Sequence, residues 1–97
     1  MLFDADAPHR LSERVGLRPE PFGALAYHYD TRRLVFLKAT ALVDLVRALE
    51  HHASPRAAVD ALVDDAARRP SFLTALASLA ESGVVEPNQH ATLRETA

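Results

Sequence analysis

The sequence predicts an α+β domain: a three-stranded antiparallel sheet followed by three short helices. Three observations predict it. Aliphatic and aromatic residues crowd two short runs within residues 18–37, separated by the polar Tyr29-Asp30-Thr31-Arg32, which is the pattern of a hairpin. Ahead of them, Leu11, Glu13, Val15 and Leu17 alternate with Ser12, Arg14, Gly16 and Arg18, which apart from Glu13 is the period of a half-buried strand. Beyond residue 40 the apolar spacing changes to that of helices, broken at Ser54-Pro55, Pro70-Ser71 and Gly83. Strands first and helices after suit a sheet covered on one face by a helical layer.

Taken in order, residues 1–10 mix acidic residues, Pro and His without period and are expected to form a flexible arm. The first strand is expected over residues 11–17. Pro19 and Pro21 deny backbone donors and are expected to end it, and Phe22-Gly23 turns the chain back. Residues 24–29 and 33–37 form the second and third strands. A two-stranded hairpin is unstable alone, so the third strand and the helices are required.

Thr40 is expected to cap the first helix, whose inner stripe is Leu42, Val43, Leu45, Val46 and Leu49. Ser54 and Pro55 open the second helix, with Ala58, Val59, Leu62, Val63 and Ala66 inward and the acid-first pairs Asp64/Arg68 and Asp65/Arg69 on its surface. The third helix carries Phe72, Leu73, Leu76 and Leu79 and stops at Gly83. Val84-Val85 can add a short strand, and residues 87–97 form a polar tail, leaving 11–86 as the folded body.

Composition excludes several functions. Ninety-seven residues make one domain, and an apolar share of 48% is ample for a core. The lack of cysteine removes disulfides, iron–sulfur ligation and thiol chemistry. No apolar run reaches the roughly 20 residues that span a bilayer, and no basic leader precedes an apolar segment, so a cytoplasmic protein without a membrane partner is expected. Net charge is −2, from 11 basic and 13 acidic residues spread along the chain. Residues 71–82, where a winged-helix reading places the helix that enters DNA, contain no Lys or Arg, so no nucleic-acid partner is expected.

Catalysis and metal binding find little support. Of the five histidines, His51 and His52 are adjacent at a helix end and diverge, where a ligand pair on one helix face needs i, i+4 spacing. His28 is expected on the solvent face of the second strand. With no phosphate loop, serine elbow or metal cluster, no enzyme activity, cofactor or metal is expected.

What remains is the open margin of the sheet. An edge strand can accept an extended segment from another chain, with main-chain hydrogen bonds supplying sequence-tolerant affinity. Arg33, Leu34, Val35, Phe36 and Leu37 are the candidate margin. Phe72, Leu76 and Leu79, spaced i, i+4, i+7 on the third helix, are the candidate wall beside it, although the same spacing is that of core residues. A self-pairing module using the same margin is the competing reading.

Arg18-Pro19-Glu20-Pro21-Phe22-Gly23-Ala24-Leu25, then Tyr27 and Arg33-Leu34-Val35-Phe36-Leu37, resembles the mycofactocin precursor-peptide chaperone family, small relatives of the pyrroloquinoline-quinone peptide chaperone. The resemblance implies a winged-helix-like domain that binds the leader of a ribosomal precursor peptide and presents it to a radical S-adenosylmethionine enzyme. It implies that this enzyme decarboxylates and crosslinks the peptide end. It places the peptide between the third strand and the third helix.

Overall fold

A computed structural model describes residues 3–88. The order is β1 (His9–Leu11), β2 (Val15–Glu20), β3 (Gly23–His28), β4 (Leu34–Leu37), α1 (Thr40–Ala48), α2 (Pro55–Leu62), α3 (Arg69–Glu81) and β5 (Val85–Pro87). The α+β expectation holds: β2, β3 and β4 form a three-stranded antiparallel sheet in that spatial order, and three helices follow.

The expected first strand is two strands. β1 pairs with β5 in a separate antiparallel ribbon, Arg10 opposite Glu86, and only β2 joins the sheet. The break is a turn at the buried Ser12. Its N–H donates to the Val84 carbonyl at 2.9 Å, and its hydroxyl accepts from the Arg14 N–H at 3.1 Å. The strand β1 begins at His9, inside the segment expected as an arm. Upstream of it, Asp6 accepts from Arg56 Nε at 2.8 Å and the Ala5 carbonyl accepts from the Arg56 N–H at 3.0 Å. That carboxylate also raises the pKa of the exposed Arg56 guanidinium.

Pro19 does not end β2, which runs on to Glu20 with Pro19 opposite Ala24. The Tyr29 N–H donates to the Arg14 carbonyl at 2.8 Å, so Arg14/Tyr29 is a hydrogen-bonded rung. Rungs alternate in an antiparallel pair, which puts Pro19/Ala24 in the other class, where the missing N–H faces away from β3. A proline so placed leaves the ladder intact and blunts the outer edge of β2.

Successive residues point to opposite faces. Val15, Ala24, Ala26 and Leu37 fall on the inner face and are buried with Val43, Leu45, Val46, Leu49, Ala58, Val59, Leu76 and Val84 in one core. Gly23 lets the end of β4 approach. A side chain there would collide with the Leu37 carbonyl oxygen, and its φ of 148° disfavours any L-residue.

The helices follow their expected starts with corrections. Ser54 caps α2, accepting from the Ala57 N–H at 3.1 Å, with Pro55 in the first turn. Thr40 is not a cap: it is already helical, Ala39 stands at the N-cap, and no side chain caps α1. Helix α2 stops at Leu62 because Val63 is extended (φ −106°, ψ 104°), so Leu62 and Ala66 leave the inner stripe and are exposed. The pairs Asp64/Arg68 and Asp65/Arg69 therefore do not share a helix. Asp65 caps the 3-10 turn Ala66–Arg68 by accepting from the Ala67 N–H, and Arg69 Nε donates to the Val63 carbonyl at 2.8 Å.

Gly83 stops α3 as expected. At φ 83° it sends its N–H to the Ala80 carbonyl (3.2 Å) while the Val84 N–H reaches Leu79 (2.9 Å), the two bonds of a Schellman motif. The chain then enters β5. Among the described residues no helix is long and apolar enough to cross a membrane.

Candidate peptide-docking edge

The sheet has two margins, and they are not equivalent. The β2 margin carries Pro19. The β4 margin carries Leu34, Val35 and Phe36, and among the described residues β3 is its one strand neighbour.

Which backbone groups β4 leaves open follows from one hydrogen bond. The His28 N–H donates to the Arg33 carbonyl at 3.0 Å, so His28/Arg33 is a bonded rung. Alternation makes Ala26/Val35 and Ala24/Leu37 bonded rungs as well, and Tyr27/Leu34 and Leu25/Phe36 non-bonded ones. The N–H and C=O of Leu34 and of Phe36 therefore point outward, away from β3. No backbone partner for them exists among the described residues.

The turn that sets this register is held by side chains. His28 Nδ1 accepts from the N–H of Asp30 and of Thr31, each at 3.3 Å, and the Thr31 hydroxyl accepts from the Arg33 N–H at 3.3 Å. Arg32 sits at φ 60°, a costly conformation for a side chain that is not glycine. His28 shares the inner-face parity of Ala26 and is half-buried near Gly83, rather than lying on the solvent face as expected.

The candidate residues divide into two groups. Arg33 is exposed, Leu34 (54% exposed) and Phe36 (58%) stand on the outer face, and Val35 is half-buried on the inner one. Leu37, Phe72, Leu76 and Leu79 are buried together in the core, where they hold β4 and α3 in place instead of presenting a wall to solvent. Of the three candidate helix residues Phe72 keeps the most surface, at 7%. It lines a cavity of about 290 Å³ with Ala41 of the first turn of α1 and with Leu62, Val63 and Asp65, and Arg68 lies over its ring at 5.3 Å.

Among the described residues no group of three or more His, Asp or Glu side chains could hold a metal ion. His51 ends the 3-10 turn Leu49–His51 and is exposed, while His90 lies outside the described residues.

A protein-family model, the Peptide chaperone MftB family, matches residues 8–86. This chain belongs to that family. The matched span starts one residue before β1 and takes in every strand and helix but the last residue of β5, including the segment Arg18-Pro19-Glu20-Pro21-Phe22-Gly23 that carries the resemblance. Among curated members, the chain is 46% identical over 88 residues to the peptide chaperone MftB of Mycobacterium ulcerans (strain Agy99), covering 90% of this chain and 80% of the relative. It is 44% identical over 87 residues to that of Mycolicibacterium smegmatis (strain ATCC 700084 / mc(2)155), covering 88% and 83%. It is also 44% identical over 88 residues to that of Mycobacterium tuberculosis (strain ATCC 25618 / H37Rv), covering 90% and 80%. No solved structure matches.

The sequence reading missed the outer face of the sheet. Leu25 and Tyr27 of β3 share it with Leu34 and Phe36. The signal was present: Ala24-Leu25-Ala26-Tyr27 and Leu34-Val35-Phe36-Leu37 are apolar at every position, which marks strands with two covered faces rather than one.

Proposed function

We propose that this chain is a non-catalytic peptide chaperone of mycofactocin biosynthesis. It takes the leader of a ribosomal precursor peptide as a fourth strand along β4 and presents the free end of that peptide to a radical S-adenosylmethionine maturase in the cytoplasm. The observation that carries the reading is the unpaired margin at Leu34 and Phe36, in a chain whose family is named for peptide chaperones.

The energetics say what the guest must look like. Four main-chain hydrogen bonds at the outward groups of Leu34 and Phe36 contribute about 1 kcal/mol each. Ordering a disordered peptide costs about 1–2 kcal/mol per residue, which cancels that gain. Net affinity therefore rests on side chains, each buried Leu- or Phe-sized anchor adding about 1.5–3 kcal/mol. The half-buried Val35 and the cavity at Phe72 and Leu62 are where inward anchors dock, and Arg33 and Lys38 at the strand ends pair with guest carboxylates.

The test is titration of the purified chain with the short precursor peptide encoded beside it, followed by calorimetry and light scattering. One-to-one binding to a monomer is expected. A self-paired dimer that ignores the peptide overturns the reading.

A further inference from the structure

We infer that β4 selects its guest by charge spacing: the bound segment carries two carboxylates five residues apart, one on each face of the added strand, with apolar residues between them. The inference deepens the strand-addition reading and rests on it.

The cations around β4 are the ones the fold itself does not use. Arg10, Arg14, Arg18, Arg56 and Arg69 each have a carboxylate partner at 2.8 to 3.9 Å. Arg68 lies over the Phe72 ring, and Arg47 occupies the last turn of α1, where a cation meets the negative end of the helix. Arg32, Arg33 and Lys38 are exposed at the two ends of β4 and have no carboxylate partner among the described residues. No Asp or Glu lies between Asp30 and Asp44 to offset them. Asp30 is engaged by Arg14 and Glu20 by Arg18, while Asp64 and Asp65 belong to the helical side, in the cavity they share with Arg68.

The two cations that flank the strand stand on opposite faces. Arg33 has the parity of Val35 and Leu37, the inner face. Lys38 has that of Leu34 and Phe36, and it lines a hollow of about 400 Å³ with Phe36 and Phe22 on the outer one. The Arg33 carbonyl still accepts from the His28 N–H, and Ala39 is extended (φ −151°, ψ 137°), so the alternation holds to both ends. Five residues of strand separate the pair by roughly 17 Å. Guest carboxylates at an even spacing fall on one face and satisfy one of these cations, not both.

Pairing direction turns the spacing into an order. The antiparallel ladder is the more stable per residue and lets Leu34 and Phe36 each exchange both outward bonds with one guest residue. From its N-terminus, such a guest reads an acid opposite Lys38, an unselected residue opposite the buried Leu37, apolar residues opposite Phe36, Val35 and Leu34, and an acid opposite Arg33. The apolar residues cover the exposed Leu34 and Phe36, and each acid makes a cross-strand ion pair. A second copy pairing through β4 brings a strand with cations at both ends and no carboxylate against its like, so it loses what the guest gains.

The experiment is a double-mutant cycle, read by calorimetry, between the full chain and the precursor peptide encoded beside it. The chain carries Arg33→Gln or Lys38→Gln, with Arg47→Gln as the control, and each Asp and Glu of the peptide is changed in turn to its amide. Urea unfolding checks each chain variant; Arg33→Met, which keeps the aliphatic stem, replaces Arg33→Gln if that variant is unfolded. Arg33→Gln and Lys38→Gln should each weaken the peptide about two- to fivefold, the worth of an exposed opposite-charge pair, and Arg47→Gln should leave it unchanged. These differences should shrink between about 0.1 and 1 M salt, as the Debye length falls from about 10 to 3 Å. One amide substitution should lose its effect in Lys38→Gln, and a second, five residues toward the peptide's C-terminus, should lose its effect in Arg33→Gln. Coupling at another spacing, the reversed order, or no coupled carboxylate overturns the inference and leaves strand addition standing. So does a result in which Arg33→Gln and Lys38→Gln bind like Arg47→Gln. A wild-type chain that binds no peptide overturns both.

Discussion

Proline placed along β4 separates the guest ladder from the fold's own ladder. At Leu34 the N–H faces outward and the residue opens the strand, so Leu34→Pro costs the hairpin no hydrogen bond. At Val35 the N–H faces Ala26, so Val35→Pro leaves a buried acceptor unpaired and destabilises the fold by about 1–3 kcal/mol. For the guest the order reverses. Leu34→Pro removes one donor and strands a guest carbonyl in the new rung, which together weaken binding by about 1–3 kcal/mol, or roughly 5- to 150-fold. Leu34→Ala is the control, because it removes the half-exposed side chain while keeping the donor. The assay is calorimetric titration with the precursor peptide, paired with urea unfolding of each variant. Leu34→Pro should unfold near the Leu34→Ala midpoint yet bind at least fivefold more weakly than it. Equal affinities for Leu34→Pro and Leu34→Ala refute the assignment of that margin.

Further expectations concern the frame that holds the margin. Gly23→Ala should destabilise by about 3 kcal/mol or more, combining a φ of 148° with collision against the Leu37 carbonyl; urea unfolding reads it, and a change below 1 kcal/mol contradicts the packing described. Leu76→Ala, at a fully buried site, should cost about 2–5 kcal/mol, measured the same way. Peptide affinity extrapolated to the folded fraction should stay unchanged, whereas a direct contact with the guest would lower it. Arg32→Gly should stabilise by about 0.5–1 kcal/mol, since relief of the left-handed side chain exceeds the extra chain entropy of glycine; thermal denaturation that shows a loss contradicts this.

The parts of the fold legible in the sequence are those fixed by local chemistry. Ser54-Pro55 announces α2 and Gly83 ends α3, because a capping hydroxyl, a tolerated proline and a left-handed glycine each act within a turn of themselves. The split between β1 and β2 was hidden because the turn at Ser12 preserves the two-residue parity of Leu11, Val15 and Leu17. Pro19 misled for a related reason: whether a proline ends a strand depends on which way its nitrogen faces, and that is set by pairing with β3. The end of α2 at Leu62 follows from the extended Val63, which helical periodicity through Ala66 conceals. At the candidate site, β4 was readable as an edge because few strands were available to cover it. For Leu76 and Leu79 the spacing favours the core, where both lie, and the resemblance alone makes them a groove wall, since i, i+4, i+7 spacing is the same for either.

Amide hydrogen exchange by NMR, with and without the precursor peptide, reaches the account's central claim without altering a residue. In the free chain the Val35 amide should exchange slowly and those of Leu34 and Phe36 rapidly, because only Val35 donates to β3. At saturating peptide, Leu34 and Phe36 should both become protected. If they still exchange as in the free chain, the peptide binds elsewhere.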